Sequence, residues 1–174
     1  QPAYVLRNDE LLPVSNDFTN REVQSITGSN SMVWFATNAY QIIGGNSRNT
    51  GALVSYDGTE SRLYPWNEIG FTDPTTLTSV SADNAGGVWV LGPNSNFAGV
   101  AHFDGTTWTM FNSDNSPLNQ NIRMNMLMAD DNGGVWIATE NRGLLRYDGT
   151  QWKEFPYLGL SNPPLHHISS FAVD

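Results

Sequence analysis

At 174 residues the chain is long enough for one ordinary domain with a sizeable core. Its net charge is −9, with eight Lys and Arg against 17 Asp and Glu, so little positive charge is left for nucleic acid or an anionic membrane surface. No apolar run nears the roughly 20 residues of a spanning helix, so no membrane insertion is expected. The lack of cysteine removes disulfides and thiolate metal sites.

The first segment, "AYVLRNDELLPV" (3–14), reads as one or two orphan strands ahead of a repeat. Three copies of that repeat follow, at approximately 23–66, 77–112 and 122–156. A Val-Trp pair marks each copy and puts Trp34, Trp89 and Trp136 in one slot, with Gly28, Asp83 and Asp130 six residues earlier. A second mark, aromatic-Asp-Gly, recurs as Tyr56-Asp57-Gly58, Phe103-Asp104-Gly105 and Tyr147-Asp148-Gly149. Spacings of 55 (34 to 89) and 47 (89 to 136) lie in the range of repeat architectures, near the size of one propeller blade.

Each copy divides into four short strands, a to d. Strand a is near-alternating, as in "LTSVSAD" (77–83) and "MNMLMAD" (124–130). Ala85-Gly86-Gly87 and Asn132-Gly133-Gly134 offer the positive φ that tight hairpins demand. Strand b, "VWVLG" or "VWIAT", is β-branched and aromatic. Asp-Gly then turns strand c, "GVAHFDG" or "GLLRYDG", into strand d, "TWTMF" or "QWKEF". The first copy has a longer insertion, "NAYQIIGGNSRNTGA" (38–52), of which "IGGNSRNTGA" (43–52) reads as an extended loop between b and c.

Such a pattern predicts an all-β chain of β-propeller blades, each of four antiparallel strands, with about three complete blades and partial strands at both ends. A blade cannot bury both faces alone, so the strand-b tryptophan should wedge against the next blade. The chain ends in "HHISSFAVD", which matches strand a of a severed fourth copy starting at 167. Known propellers typically use about 4 to 8 blades, so residues 1–174 read as a single, partial domain of a larger ring. Self-association through open blade edges is the other way to complete it. The chain opens on Gln1 rather than Met, which fits a removed signal peptide or further protein upstream.

The string "D-x-x-G-x-[VL]-W-[IV]-[AG]-T … G-L-x-R-Y-D-G", best carried by Asp130 to Phe155, resembles the two-component regulator propeller repeat. The segment "SPLNQNIRMNML" is similar to the linker between such blades. Departures are Gly28 for Asp and Met32 for the second turn glycine in the first copy, and Leu91-Gly92-Pro93 in the second. The resemblance implies a periplasmic or secreted bacterial module, such as the ligand-sensing part of a hybrid two-component regulator. Folds of this kind host unrelated functions, so function has to be argued from a site.

Chemistry is sparse. "DDNG" (130–133) lacks the ligand spacing of a calcium loop, since the twelfth residue from Asp130 is Asn141. His102, His166 and His167 have no zincin spacing, and no Gly-x-Ser-x-Gly elbow occurs. Neither catalysis nor a metal or cofactor is therefore expected. The loops joining d to a and b to c, which include Tyr40, gather Asn, Arg and aromatic residues. The candidates for ligand contact among them are Arg48, Trp66, Asn96, Arg142, Tyr157, His166 and His167. Aromatic faces beside adaptable hydrogen-bonding groups suit an oligosaccharide, another small ligand or a neighbouring protein domain. The expected function is a non-catalytic recognition module. A structural or adhesive surface scaffold is the alternative, and a piece of a propeller lyase or hydrolase is a third reading.

Overall fold

The computed structural model describes residues 4–7, 10–13, 20–29, 31–92, 99–119, 121–156, 168 and 172. The two leading strands, β1 (Tyr4–Arg7) and β2 (Glu10–Pro13), pair with each other as a separate hairpin. The first large sheet comprises β3 (Arg21–Ser29), β4 (Met32–Ile43), β5 (Asn46–Tyr56) and β6 (Ser61–Pro65), followed by a single helical turn, α1 (Trp66–Ile69). The second holds β7 (Ser79–Ala82), β8 (Val88–Gly92), β9 (Gly99–Phe103) and β10 (Trp108–Phe111). The third holds β11 (Met124–Ala129), β12 (Val135–Thr139), β13 (Leu144–Tyr147) and β14 (Trp152–Phe155). Each is a four-stranded antiparallel meander in chain order. The severed fourth copy expected from residue 167 lies outside the described residues, apart from the isolated positions 168 and 172.

Register corrects one alignment. Trp34, Trp89 and Trp136 stand opposite Thr27, Ser81 and Met128 respectively. The first sheet therefore closes its leading hairpin with one residue fewer: residues 28–33 separate Thr27 from Trp34, whereas 82–88 separate Ser81 from Trp89. Gly28 is thus the counterpart of Ala82 and Ala129, not of Asp83 and Asp130. In place of the aspartate turn, the short connection uses Ser31 at a φ of 70°.

Neighbouring sheets are tied along their first strands by hydroxyl groups. The backbone N–H of Val80 donates to Ser25 Oγ at 3.2 Å, and that of Ala82 donates to Thr27 Oγ1 at 3.1 Å. One sheet on, Leu127 N donates to Ser79 Oγ at 3.1 Å and Ala129 N to Ser81 Oγ at 2.9 Å. By register Ser25 and Thr27 are the equivalents of Ser79 and Ser81. The side-chain oxygen satisfies inner-strand N–H groups that no backbone ladder reaches, because the neighbouring strand belongs to another sheet. The third sheet carries Met126 and Met128 in these slots, and a thioether is at most a weak acceptor.

Packing follows the same repeat. Trp34, 3% exposed, sits with Tyr64 and Phe103, while Trp89, 1% exposed, sits with Phe111 and Tyr147. The wedge expected of the strand-b tryptophan is therefore present twice. Trp136, in the third sheet, is only half-buried.

The glycine pairs split their labour. Gly86 and Gly133 take positive φ, at 93° and 78°, and make the turn. Gly87 and Gly134 are there for space: a Cβ on either would stand 2.4 Å from the carbonyl oxygen of Phe103 or Tyr147. The aspartate that opens each turn is buried and fully used. Asp83 Oδ1 accepts from Ala85 and Gly87 N–H, and its Oδ2 meets His102 Nε2 at 2.9 Å. Asp130 Oδ1 accepts from Asn132 and Gly134 N–H, and its Oδ2 is forked by Arg146 at 3.2 and 2.8 Å. Burial pushes the Asp130 carboxyl up, but the Arg146 guanidinium and the two N–H groups outweigh it and hold the group below the usual carboxylate range. His102 stacks on Trp89, and Arg146 lies over Trp136, so each tryptophan also covers the partner of its aspartate. The first sheet has no such carboxylate, and Ser55 stands across from Trp34 where His102 and Arg146 stand elsewhere.

At the aromatic-Asp-Gly hairpins the aspartate is not a central turn residue. Asp57 N donates to Glu60 O, Asp104 N to Thr107 O and Asp148 N to Gln151 O, which leaves Gly-Thr at each tip. The carboxylates cap the turn from outside. The N–H three residues on is the largest influence lowering each pKa, joined by the N–H two residues on and, for Asp104 and Asp148, by threonine hydroxyls.

Two outcomes are expected. Replacing Ser79 and Ser81 together by Ala orphans two inner-strand N–H groups and should lower stability by about 2 kcal/mol in urea unfolding. Retained stability would show that those hydroxyls do not tie the sheets. The second concerns pH. A carboxyl whose folded pKa is depressed stabilises above its unfolded value and loses that contribution as pH falls through the folded one. The melting temperature should therefore drop as pH falls from about 4, and less steeply in the double variant Asp104→Asn, Asp148→Asn. Parallel curves for the variant and the parent would contradict this.

Candidate functional site

The first sheet departs from its siblings where β4 and β5 run on as a two-stranded arm. Pairing continues through Tyr40↔Asn49, Gln41↔Arg48, Ile42↔Ser47 and Ile43↔Asn46. Gly44 and Gly45 close it with φ of 58° and 79°, the two positive values that a two-residue primed turn requires. The stretch 43–52, expected as a loop, is thus strand and tight turn, since Gly-Gly is itself a hairpin signal. Because the arm stands clear of the core, it shows no burial periodicity, and its Asn and Gly content imitates a loop.

Its base is fixed to the segment leading into the second sheet. Asn38 Nδ2 donates to Leu77 O at 3.1 Å, and Leu77 N donates to Asn38 Oδ1 at 2.8 Å, so one amide replaces a pair of backbone partners. Gly51 N donates to Thr75 O, and only glycine fits there, since a Cβ would lie 2.6 Å from Leu77 Cγ. Thr37 and Thr50 turn their hydroxyls onto the carbonyls of Ala52 and Ala39 across the hairpin. At the other side, a bulge between Val23 and Ser25 re-aims β3.

These constraints leave a cleft of about 450 Å³ lined by Asn20, Glu22, Gln24, Asn38, Ala39, Tyr40, Asn49, Thr76 and Thr78. Among the described residues the lining is made of amides and hydroxyls with one carboxylate, Glu22, and one aromatic ring, Tyr40, which is 70% exposed. Thr78 Oγ1 is buried there with no hydrogen-bond partner among the described residues. Such a surface offers both donors and acceptors without strong charge, beside a flat apolar face. A smaller recess of about 130 Å³ lies at Arg146, Asp148, Gln151, Trp152 and Lys153, where Arg146 and Asp148 are already engaged in the turns described above. Among the described residues no group of three or more His, Asp or Glu is placed to hold a metal ion.

The expected contact residues are not brought together in the cleft. Arg48 lies on β5 beside Asn49, and strand alternation turns it to the opposite face of the arm. Trp66 opens α1 and packs, half-buried, on the core between the first two sheets, so it is a packing residue. Arg142 lies in the loop between β12 and β13 of the third sheet, where it forks onto Glu154 at 3.0 and 2.6 Å. Asn96, Tyr157, His166 and His167 fall outside the described residues. Among the described residues Tyr40 is the one aromatic expected in a loop that lines the cleft. Glu22, Gln24, Asn38, Thr76 and Thr78 are not marked out by the sequence reading, and the only local signal is Asn38, a polar residue directly after the buried run "WFAT".

No family model matches the chain, and no curated protein matches it either. Among the described residues no helix is long and apolar enough to cross a membrane.

Proposed function

We propose that the chain is a non-catalytic recognition module, part of a bacterial β-propeller of the two-component regulator type exposed in the periplasm or outside the cell. Its ligand is an oligosaccharide held in the cleft at the base of the β4–β5 arm. The observation that carries this reading is the lining itself: the exposed face of Tyr40 beside the amides of Asn20, Gln24, Asn38 and Asn49. Sugars present apolar ring faces and a rim of hydroxyls, and these residues answer both. Three like sheets tied first strand to first strand support the propeller part of the reading.

Binding is favoured over hydrolysis or elimination by the acid count. Glycoside hydrolysis ordinarily uses two carboxyl groups flanking one bond, and among the described residues the cleft offers Glu22 alone. In a sensor, the ligand acts by preferring one of two arrangements of the whole receptor, which requires differential affinity for the two states.

A glycan array followed by calorimetry on the retained sugar tests the proposal. Tyr40→Ala, at an exposed position, should weaken binding about tenfold, equivalent to about 1.4 kcal/mol, with an unchanged melting temperature. Glu22→Gln should keep most of the affinity, and no new reducing ends should appear on incubation. An array without hits, or affinity indifferent to Tyr40, would turn the assignment toward a scaffold; sugar cleavage lost in Glu22→Gln would turn it toward an enzyme.

A further inference from the structure

Counted from the tryptophans, β8 and β12 end at the same level, at Gly92 and Thr139, the counterparts of Thr37. Residues 38–43 of β4 therefore run past the level at which those strands stop. Alternation places Asn38, Tyr40 and Ile42 on the face of β4 that carries Trp34 and Ala36. That face looks toward the second sheet, where Trp34 meets Phe103 and Asn38 is bonded to Leu77. On β5 the same face is completed by Gly51, Asn49 and Ser47, the partners of Asn38, Tyr40 and Ile42.

One edge of this face is apolar and the other hydrogen-bonding. Tyr40 and Ile42 are 70% and 76% exposed, the highest values for large apolar side chains among the described residues. They stand about 7 Å apart along the strand. Asn49 and Ser47 face them across the ladder, roughly 5 Å away, with an amide and a hydroxyl. Asn38, Tyr40 and Asn49 already line the cleft, so Ile42 and Ser47 prolong its wall outward. The wall is preformed, since Gly44-Gly45 closes its tip and the Gly51 N–H is anchored on Thr75 at its base. Two side chains are far too little surface for a stable protein contact, which buries about 1,200 Å² or more. They suffice to seat one more ring of a narrow ligand already held in the cleft.

We propose that Ile42 and Ser47 form a second subsite, and that the ligand is a linear oligosaccharide running from the cleft outward along β4. Ile42 covers the apolar face of the outer sugar ring, while Ser47 and Asn49 meet its hydroxyls. The inference rests on the oligosaccharide reading of the cleft and adds length and direction to it. The inner units lie at Tyr40 and Asn38, and the chain continues toward the tip of the arm, so a sugar too short to reach Ile42 leaves part of the binding surface unused.

Calorimetry with a size ladder of the sugar retained on the array, from monosaccharide to hexasaccharide, provides the test. Affinity should rise about tenfold between the shortest sugar that binds and the longest. Ile42→Ser should weaken hexasaccharide binding about five- to tenfold and leave the shortest ligand unaffected, whereas Tyr40→Ala weakens both. Gln41→Ala, on the opposite face of the arm, should change neither. Should Ile42→Ser melt early, Ile42→Thr keeps the β-branch. Methyl NMR of the parent gives a reading without substitution: the Ile42 signals should shift with the hexasaccharide and not with the shortest sugar. Equal affinity along the ladder, an equal loss for short and long sugars in Ile42→Ser, or unmoved Ile42 methyls would overturn the subsite and leave the cleft reading intact. A changed solution mass in Ile42→Ser with sugar affinity untouched would overturn it in favour of a protein contact. An array that retains no sugar defeats the cleft reading itself, and this extension with it.

Discussion

A four-stranded sheet that is apolar on both faces cannot bury itself, and here the second-strand tryptophan meets that need. Trp34 and Trp89 each lose nearly all their exposure to an adjacent sheet, and the two larger core clusters form around them. The first-strand hydroxyls act at right angles to this packing. They fix the height of one sheet against the next where ring contacts alone would tolerate sliding. Turns follow from the same demand, because strands as short as the four or five residues of the second sheet leave little ladder and each hairpin needs its own restraint. Buried Asp83 and Asp130 supply it at one end and exposed Asp57, Asp104 and Asp148 at the other.

Freedom for function lies where this scheme is relaxed. The first sheet gives up the aspartate turn, shortens its leading hairpin and extends β4 and β5 into an arm. Its cleft draws on β3, on the arm and on the segment leading into the second sheet, so a rigid frame presents it while the arm remains open to contact. Asn38 joins the two roles, since it clamps Leu77 and also faces the cleft.

The repeat was legible because its marks are steric or turn-forming: a tryptophan that fills an intersheet gap, glycines that cannot be replaced, an aspartate beside glycine. The strands of the second and third sheets accordingly fall within the sequence expectations. Register within the first copy was not legible, since a hairpin one residue shorter leaves Gly28 at the right distance from Trp34 for the wrong reason. The arm was misread because solvent on both sides erases the alternation that identifies a half-buried strand. The cleft could not be read at all from spacing. Glu22, Asn38, Asn49 and Thr78 meet only through the stacking of two sheets, and amides in a strand look like amides in a turn.

Equilibrium urea unfolding of Trp89→Ala beside Trp136→Ala, at a dilution where single chains prevail, tests the intersheet packing most directly. Loss of the buried ring between two sheets should remove about 3–5 kcal/mol, while loss of the half-buried one should remove clearly less. Equal losses for the two variants, or a small loss at Trp89, would contradict a fold held together by tryptophans wedged between successive sheets.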